Sequence, residues 1–402
     1  MRLSGALMAA VLPALLATLA MQAIVVIASL IVPITVQESA DALGFDPAMV
    51  GYYTMVMWLG GMASTLYSGG LIRRFGALRV CQATMGLAAA GALLTGVASI
   101  AAFGLAGVLI GMAYGPANPA GSHLLARLSP PHLRGRVFSV KQTSVPVGAA
   151  IAGLLVPAVV DEWGWQAAGP VIALLCVAAM AAVQPWRAGL DSDRDPAAPA
   201  LATRPLAAIR QVWALPALRR TVLASAVFSM GQFCFTAFFV VFAMQRAGFD
   251  LAGAGSLFSV GFIAAIAGRV AWGWAADATS SRAALATLGT AMAATALVAT
   301  TVGPGWSWLG VAALSAAFGA TAVGWNGVYL AEVARLAPGG DVGAATGGAM
   351  FFTLAGSAFG PALFGAVAAS LGYSAAFVLV AAVTGAAGLW IALGRDPAPE
   401  RA

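Results

Sequence analysis

Apolar stretches recur along the whole of this chain, and many reach the roughly 20 residues that cross a bilayer as helix. Lipid offers the backbone no hydrogen bonds, so only helices and closed barrels can span it. Strand-like alternation is missing from these stretches, which leaves helices. Twelve are expected, at about 7–36, 48–70, 77–98, 100–126, 137–160, 166–186, 219–244, 251–275, 281–303, 306–331, 342–370 and 373–393. Composition agrees: 61% of the 402 residues are hydrophobic and 8% are charged, against roughly a quarter charged in a soluble domain. The first stretch follows Met1-Arg2 like a signal peptide, but it is too long for one and reads as a helix. Cys81, Cys176 and Cys234 fall in or beside apolar stretches at spacings that suit neither a metal site nor a disulfide framework.

The second constraint is an internal repeat. Gly44-Phe45-Asp46-Pro47-Ala48-Met49-Val50-Gly51 returns as Gly248-Phe249-Asp250-Leu251-Ala252-Gly253-Ala254-Gly255, both reading GFDxAxxG. Gly69 and Gly273 keep the same offset of 204. Asn118, Arg127, Leu128, Pro130 and Gly135 then meet Asn326, Arg335, Leu336, Pro338 and Gly343 at an offset of 208, so a small insertion intervenes. Duplication of this kind is common in transporters, where the substrate site lies between the copies. The expected organisation is residues 1–186, a polar linker at 187–218 containing Asp191-Ser192-Asp193-Arg194-Asp195-Pro196, and residues 219–402. Ile209, Val212, Trp213 and Leu215 suggest a short interfacial helix at the linker's end.

The net charge of +6 does not mark a nucleic-acid binder. All of the 20 lysines and arginines except Lys141, Arg246 and Arg269 fall on one side of the expected helices. The opposite loops carry Glu38, Asp41, Asp46, Asp161, Glu162 and Asp250. That asymmetry is the positive-inside bias, with both termini cytoplasmic.

Six helices, a central cytoplasmic linker and six more resemble the major facilitator superfamily over essentially the whole chain. After the second helix that family carries G-x-x-x-D-[RK]-x-G; here the place reads Gly69-Gly70-Leu71-Ile72-Arg73-Arg74-Phe75-Gly76, with Arg73 where the acid belongs. The second copy, Gly273-Trp274-Ala275-Ala276-Asp277, keeps the acid. The resemblance implies an all-α fold of two pseudo-symmetric six-helix bundles, with Arg73, Arg74 and Asp277 at a cytoplasmic gate. It also implies a monomeric inner-membrane secondary transporter in contact with lipid, working by alternating access, with no cofactor or metal and no enzymatic activity.

Charges inside spans are costly and therefore informative. Arg269 and Lys141 are the two expected there. Arg269 lies eight residues before Asp277, about 12 Å along a helix, and an arginine cannot discard its charge. Arg269-x-x-x-Gly273-x-x-x-Asp277 resembles the eighth helix of the oxalate and monocarboxylate porters, in which the arginine binds a carboxylate. Its alternatives are snorkelling and pairing with Asp277. Lys141, on the fifth helix, would either face a wet site beside Gln142 or snorkel to the headgroups. Neutral candidates for the same substrate are Gln22, Tyr114, Asn118, Gln232, Asn326 and Tyr329. Ser225, Ser229, Gln232 and Thr236 share one helical face, and the serines and threonine there would equally bond neighbouring helices. With no acid expected deep in a span, a coupled proton would ride on the substrate's own carboxylate. The expected cargo is a small organic anion. Export of hydrophobic compounds is the main alternative, and a sensor without transport is the other.

Overall fold

The computed structural model describes residues 5–130, 133–200, 205–337 and 342–394; Met1, Arg2 and Pro338 lie outside them, as do three of the linker and tail arginines. The helices, labelled in chain order, are α1 (Gly5–Leu43), α2 (Val50–Phe75), α3 (Ala77–Thr95), α4 (Ile100–Leu128), α5 (Arg134–Trp163) and α6 (Trp165–Ala182). A short helix at Pro205–Ala214 precedes α7 (Pro216–Ala247), α8 (Leu251–Ala278), α9 (Ser281–Ala299) and α10 (Trp308–Arg335). The last run, Val342–Leu393, is broken at Gly372 (φ 83°, ψ 166°) into α11 (342–371) and α12 (373–393). Among the described residues, 10 helices are long and apolar enough to cross a membrane. The expected count of twelve adds α2 and divides the last run at Gly372.

The chain forms two compact units: Met1–Phe45 with Val56–Thr203, and Asp46–Met55 with Arg204–Ala402. The repeat GFDxAxxG turns out to be a stop-and-start signal for helices. Gly44 (φ 71°) and Gly248 (φ 77°) take the left-handed conformation that ends α1 and α7. Two residues on, Asp46 Oδ1 accepts the Ala48 N–H (2.8 Å) and Asp250 Oδ1 accepts the Gly253 N–H (2.8 Å). Each carboxylate thus satisfies an N–H left over at the start of the next helix.

Small residues let the helices approach closely within each unit. In the first unit a Cβ on Gly148 of α5 would lie 2.6 Å from the Ala23 carbonyl oxygen of α1. In the second, Gly356 and Gly360 of α11 lie against Ala226 and Met230 of α7. The run Gly356-Ser357-Ala358-Phe359-Gly360-Pro361 is thereby explained by packing. Phe235 adds a ring cluster, with Phe239, Phe258, Phe262 and Phe318 at centroid distances of 5.0, 5.8, 5.7 and 5.3 Å.

The fourth helix and its copy both interrupt their hydrogen-bond ladder at one level. In α4 the interruption is Pro116 and Pro119, which bring no N–H. In α10 it is a π-helical turn at Gly319–Val323. Gly324 and Gly327 stand where the first copy has its prolines, at the offset of 208.

Two expected boundaries move. The first helix runs to Leu43, so Glu38 and Asp41 lie on its last turns and not in a loop. The tenth continues past 331 to Arg335, which takes in Glu332, 4% exposed. Glu332 lies beyond the expected boundary at 331 and three residues from the helix end, so it is not deep in the span.

Candidate functional site

In the first unit the polar residues gather on α1, α4 and α5. Lys141 is fully buried (0% exposed). Its ammonium turns towards α4, donating to the Asn118 carbonyl (3.1 Å), to Asn118 Oδ1 and to Ser122 Oγ (3.4 Å). All three acceptors are neutral. Helix α1 meets the same place: a Cβ on Gly121 of α4 would lie 3.2 Å from Thr18 Cβ and 3.3 Å from Lys141 Cε. Gln22, one turn beyond Thr18, is 2% exposed and neither of its amide atoms has a hydrogen-bond partner. Tyr114, one turn before Asn118, packs edge-on against Trp58 at 4.8 Å. Gln142 is half-buried beside Lys141.

In the second unit the helix-seven stripe divides between two neighbours. Ser225 bonds Thr353 (2.9 Å) and Ser229 bonds Ser357 (2.7 Å), both on α11. Gln232 faces α10, where its Oε1 accepts from Trp325 Nε1 (3.1 Å) and Asn326 Nδ2 (3.2 Å). Tyr329, fully buried, accepts from the Thr353 hydroxyl at 3.3 Å. The structure therefore brings Gln232 and Asn326 into one hydrogen-bonded cluster with Trp325, whose ring lies 5.3 Å from that of Tyr329. Arg269 is half-buried on α8, and its Nε donates to the Val323 carbonyl (3.3 Å) at the π-turn of α10. Trp272 donates to Ala320 of the same turn at 3.0 Å. The irregular turn thus supplies the carbonyls that dock α8.

Glu332 sits one turn beyond Tyr329. Arg335 grips it in a two-pronged ion pair, Nε to Oε2 at 2.8 Å and Nη2 to Oε1 at 2.7 Å. Leu124 occupies the matching place in the first copy.

Of the expected gate residues, Arg73, Arg74 and Asp277 are all exposed. Arg74 lies over the Phe75 ring at 5.6 Å, and the Arg73 carbonyl accepts from the Asp195 N–H (2.7 Å). The buried carboxylate at this end comes instead from the linker. Asp191, with no exposed side-chain surface, accepts from the Leu78 N–H (2.7 Å), the Arg79 N–H (3.1 Å) and Arg79 Nη1 (3.1 Å). It caps α3 from 112 residues away, since the residue at the helix start is Gly76, which has no side chain to do so. Asp193 extends the attachment, 2.7 Å from Arg127 and 2.8 Å from His123 on α4. Partial burial would raise the Asp193 carboxyl, but the His123 hydrogen bond and the Arg127 charge outweigh it and hold the group below its ordinary range. Residues 190–200 are therefore a strap across the ends of α2, α3 and α4 and not a loose tether. The sequence sign was a run of acids, Asp191, Asp193 and Asp195, in a chain whose first motif carries Arg73 in place of its acid.

Comparison with known proteins agrees with the helical architecture. Residues 14–331 match the family model described as Major Facilitator Superfamily. The chain is 29% identical over 236 residues to two proteins of Mycobacterium tuberculosis, the uncharacterized MFS-type transporters MT3072 (strain CDC 1551 / Oshkosh) and Rv2994 (strain ATCC 25618 / H37Rv). That match covers 57% of this chain and 50% of theirs, so the chain spans about half the length of these relatives. Among solved structures, a POT family transporter in complex with 5-aminolevulinic acid superposes with a TM-score of 0.77 at 12% identity, covering 95% of each chain. Peptide transporter POT in complex with sulfate gives 0.77 at 16%, covering 95% of this chain and 93% of that one. At such identities these two share the fold.

Proposed function

The chain belongs to the major facilitator superfamily and is a multi-pass membrane transporter of that type, and from that premise we propose that its cargo is a small organic anion, a carboxylate. The observation that carries this reading is Lys141. A buried ammonium costs several kcal/mol unless a counter-charge repays it, and the partners of Lys141 are an amide, a carbonyl and a hydroxyl. Intramembrane cations without an acid partner mark the path of an anion. A cargo carboxylate entering beside Asn118 supplies the missing charge and exchanges for the neutral acceptors.

Arg269 provides a second cation in the other unit, and Gln232, Asn326 and Tyr329 a hydrogen-bonding wall there. The transporter works by alternating access in the bacterial inner membrane, with the protons of the carboxylic acid itself as the coupling charge. The test is binding of a panel of small carboxylates to the purified protein in nanodiscs, wild type against Lys141→Met and Lys141→Arg. Lys141→Met should weaken the best acid at least tenfold, and Lys141→Arg should keep most of the affinity. Undiminished binding by a well-folded Lys141→Met protein would refute the reading, as would transport of uncharged lipophilic compounds with no response to any acid.

A further inference from the structure

We propose that the cargo is a 2-hydroxycarboxylate, a carboxylate bearing a neutral hydrogen-bond donor on the adjacent carbon. This rests on the anion reading above and narrows it. Two buried groups beside Lys141 carry it. Gln22 of α1 is 2% exposed, and both Nε2 and Oε1 lack a partner. Ser144 of α5 is 0% exposed, and its Oγ also lacks a partner. The buried hydroxyls of α1 turn back on their own helix, as Thr18 does to Ala14, Ser29 to Val26 and Thr35 to Ile31. Ser144 does not.

The register of the helices puts these groups at one level. Thr18 and Lys141 meet at Gly121, and α1 and α5 next meet where Ala23 packs on Gly148. Gln22 lies one turn beyond Thr18, and Ser144 one turn beyond Lys141, so both fall between those two crossings. Polar atoms left without partners in such a place are costly and mark a position that a polar ligand fills.

The chemistry of the open valences describes the ligand. Ser144 Oγ and Gln22 Nε2 are open donors suited to a carboxylate, and Lys141 Nζ joins them by exchanging its neutral acceptors on Asn118 and Ser122 for it. Gln22 Oε1 only accepts, so the ligand must also donate. One amide group presents both atoms about 2 Å apart; the ionised carboxylate that faces Lys141 only accepts, so the matching donor stands on the carbon next to it. That donor is neutral. The acids on α1, α4 and α5 are Glu38, Asp41, Asp161 and Glu162. Asp161 is twenty residues from Lys141, about 30 Å of helix, and Glu38 is sixteen from Gln22, about 24 Å. Asp191 and Asp193 of the strap are already engaged, by Arg79 and by Arg127 with His123. An ammonium on the ligand would therefore face Lys141 with no free acid to offset it, which leaves a hydroxyl.

The experiment measures affinity in nanodiscs for 2-hydroxypropionate, propionate and 2-aminopropionate, and for the same three carrying a 3-phenyl group. The expected result in at least one size series is hydroxy acid at least tenfold tighter than its deoxy partner, with the amino acid weakest. Gln22→Met should erase that preference, with the hydroxy and deoxy acids both weakened by loss of the Nε2 donor and bound equally. Equal binding of hydroxy and deoxy acids, with both still dependent on Lys141, overturns this inference and leaves the anion reading standing. Failure of all six to bind, or binding indifferent to Lys141→Met, overturns both. Preservation of the hydroxyl preference in Gln22→Met overturns the role given to Gln22.

Discussion

Replacing Asp191 by alanine tests whether the strap is an energetic part of the first unit. The change leaves the Leu78 and Arg79 N–H groups at the start of α3 without an acceptor, and frees the Arg79 guanidinium. Loss of a capping side chain costs about 0.5–2 kcal/mol, and hydrogen bonds to charged groups contribute about 1.5–3 kcal/mol. Arg79 keeps 26% of its side chain in solvent and recovers part of its share from water. The net is therefore about 2 kcal/mol, a rise of about 30-fold in the population of the detached strap. Hydrogen exchange on the intact protein in nanodiscs reads this directly, in peptides covering 77–82 and 188–200. Asp191→Asn keeps an acceptor without the charge and should fall between wild type and alanine. Gly76→Ala should match the alanine variant by a separate route. Its backbone sits at φ 97°, and a Cβ there would lie 2.6 Å from both Cβ and Oδ1 of Asp191. If Asp191→Ala exchanges within twofold of wild type in both peptides, the capping argument is wrong.

Asp193 makes a pH prediction. Its folded-state carboxyl lies below the ordinary value, so its contribution is present above an unfolded value of about 4 and disappears as pH falls through the lower folded one. Strap exchange in Asp193→Asn should exceed wild type at pH 6, and the excess should shrink as pH falls below about 4; an excess that stays constant throughout acidification would refute the linkage. In the second unit, Ser229→Ala, Ser357→Ala and the double variant form a cycle about a buried 2.7 Å hydrogen bond. Interhelical bonds of this kind average about 0.6 kcal/mol, so denaturation in mixed micelles should show coupling of that size, and strict additivity would count against it.

What the sequence discloses about this fold is mostly local chemistry. Gly44 with Asp46, and Gly248 with Asp250, end one helix and begin the next through groups at most a few residues apart, so their meaning is visible without a structure. Asp191 is the opposite case. Its partners lie 112 and 113 residues away, and a run of acids with prolines reads as solvated chain until those partners are known. The helix-seven stripe shows a different limit. Its spacing correctly placed Ser225, Ser229 and Gln232 on one side of α7, but that side is wide enough to meet both α10 and α11, and periodicity does not divide them. Lys141 could be placed on a helix by counting, yet the direction of a four-carbon side chain follows from its rotamer and not from depth. Glu332 fell outside the expected helix because its end was drawn at 331, four residues before Arg335.

The interrupted ladders of α4 and α10 have a mechanical meaning. A helix resists bending because each turn is tied to the next, and a missing or lengthened tie concentrates curvature at that point. Pro116 and Pro119 remove two ties from α4, and the π-turn at Gly319–Val323 redistributes those of α10. The fourth helix and its copy thus each contain a compliant joint at corresponding places in the repeat, made by different means. Strain applied at one end of such a helix is absorbed at the joint, so the segment carrying Asn118 in one unit, and Asn326 in the other, can tilt without dragging the far half of its helix along.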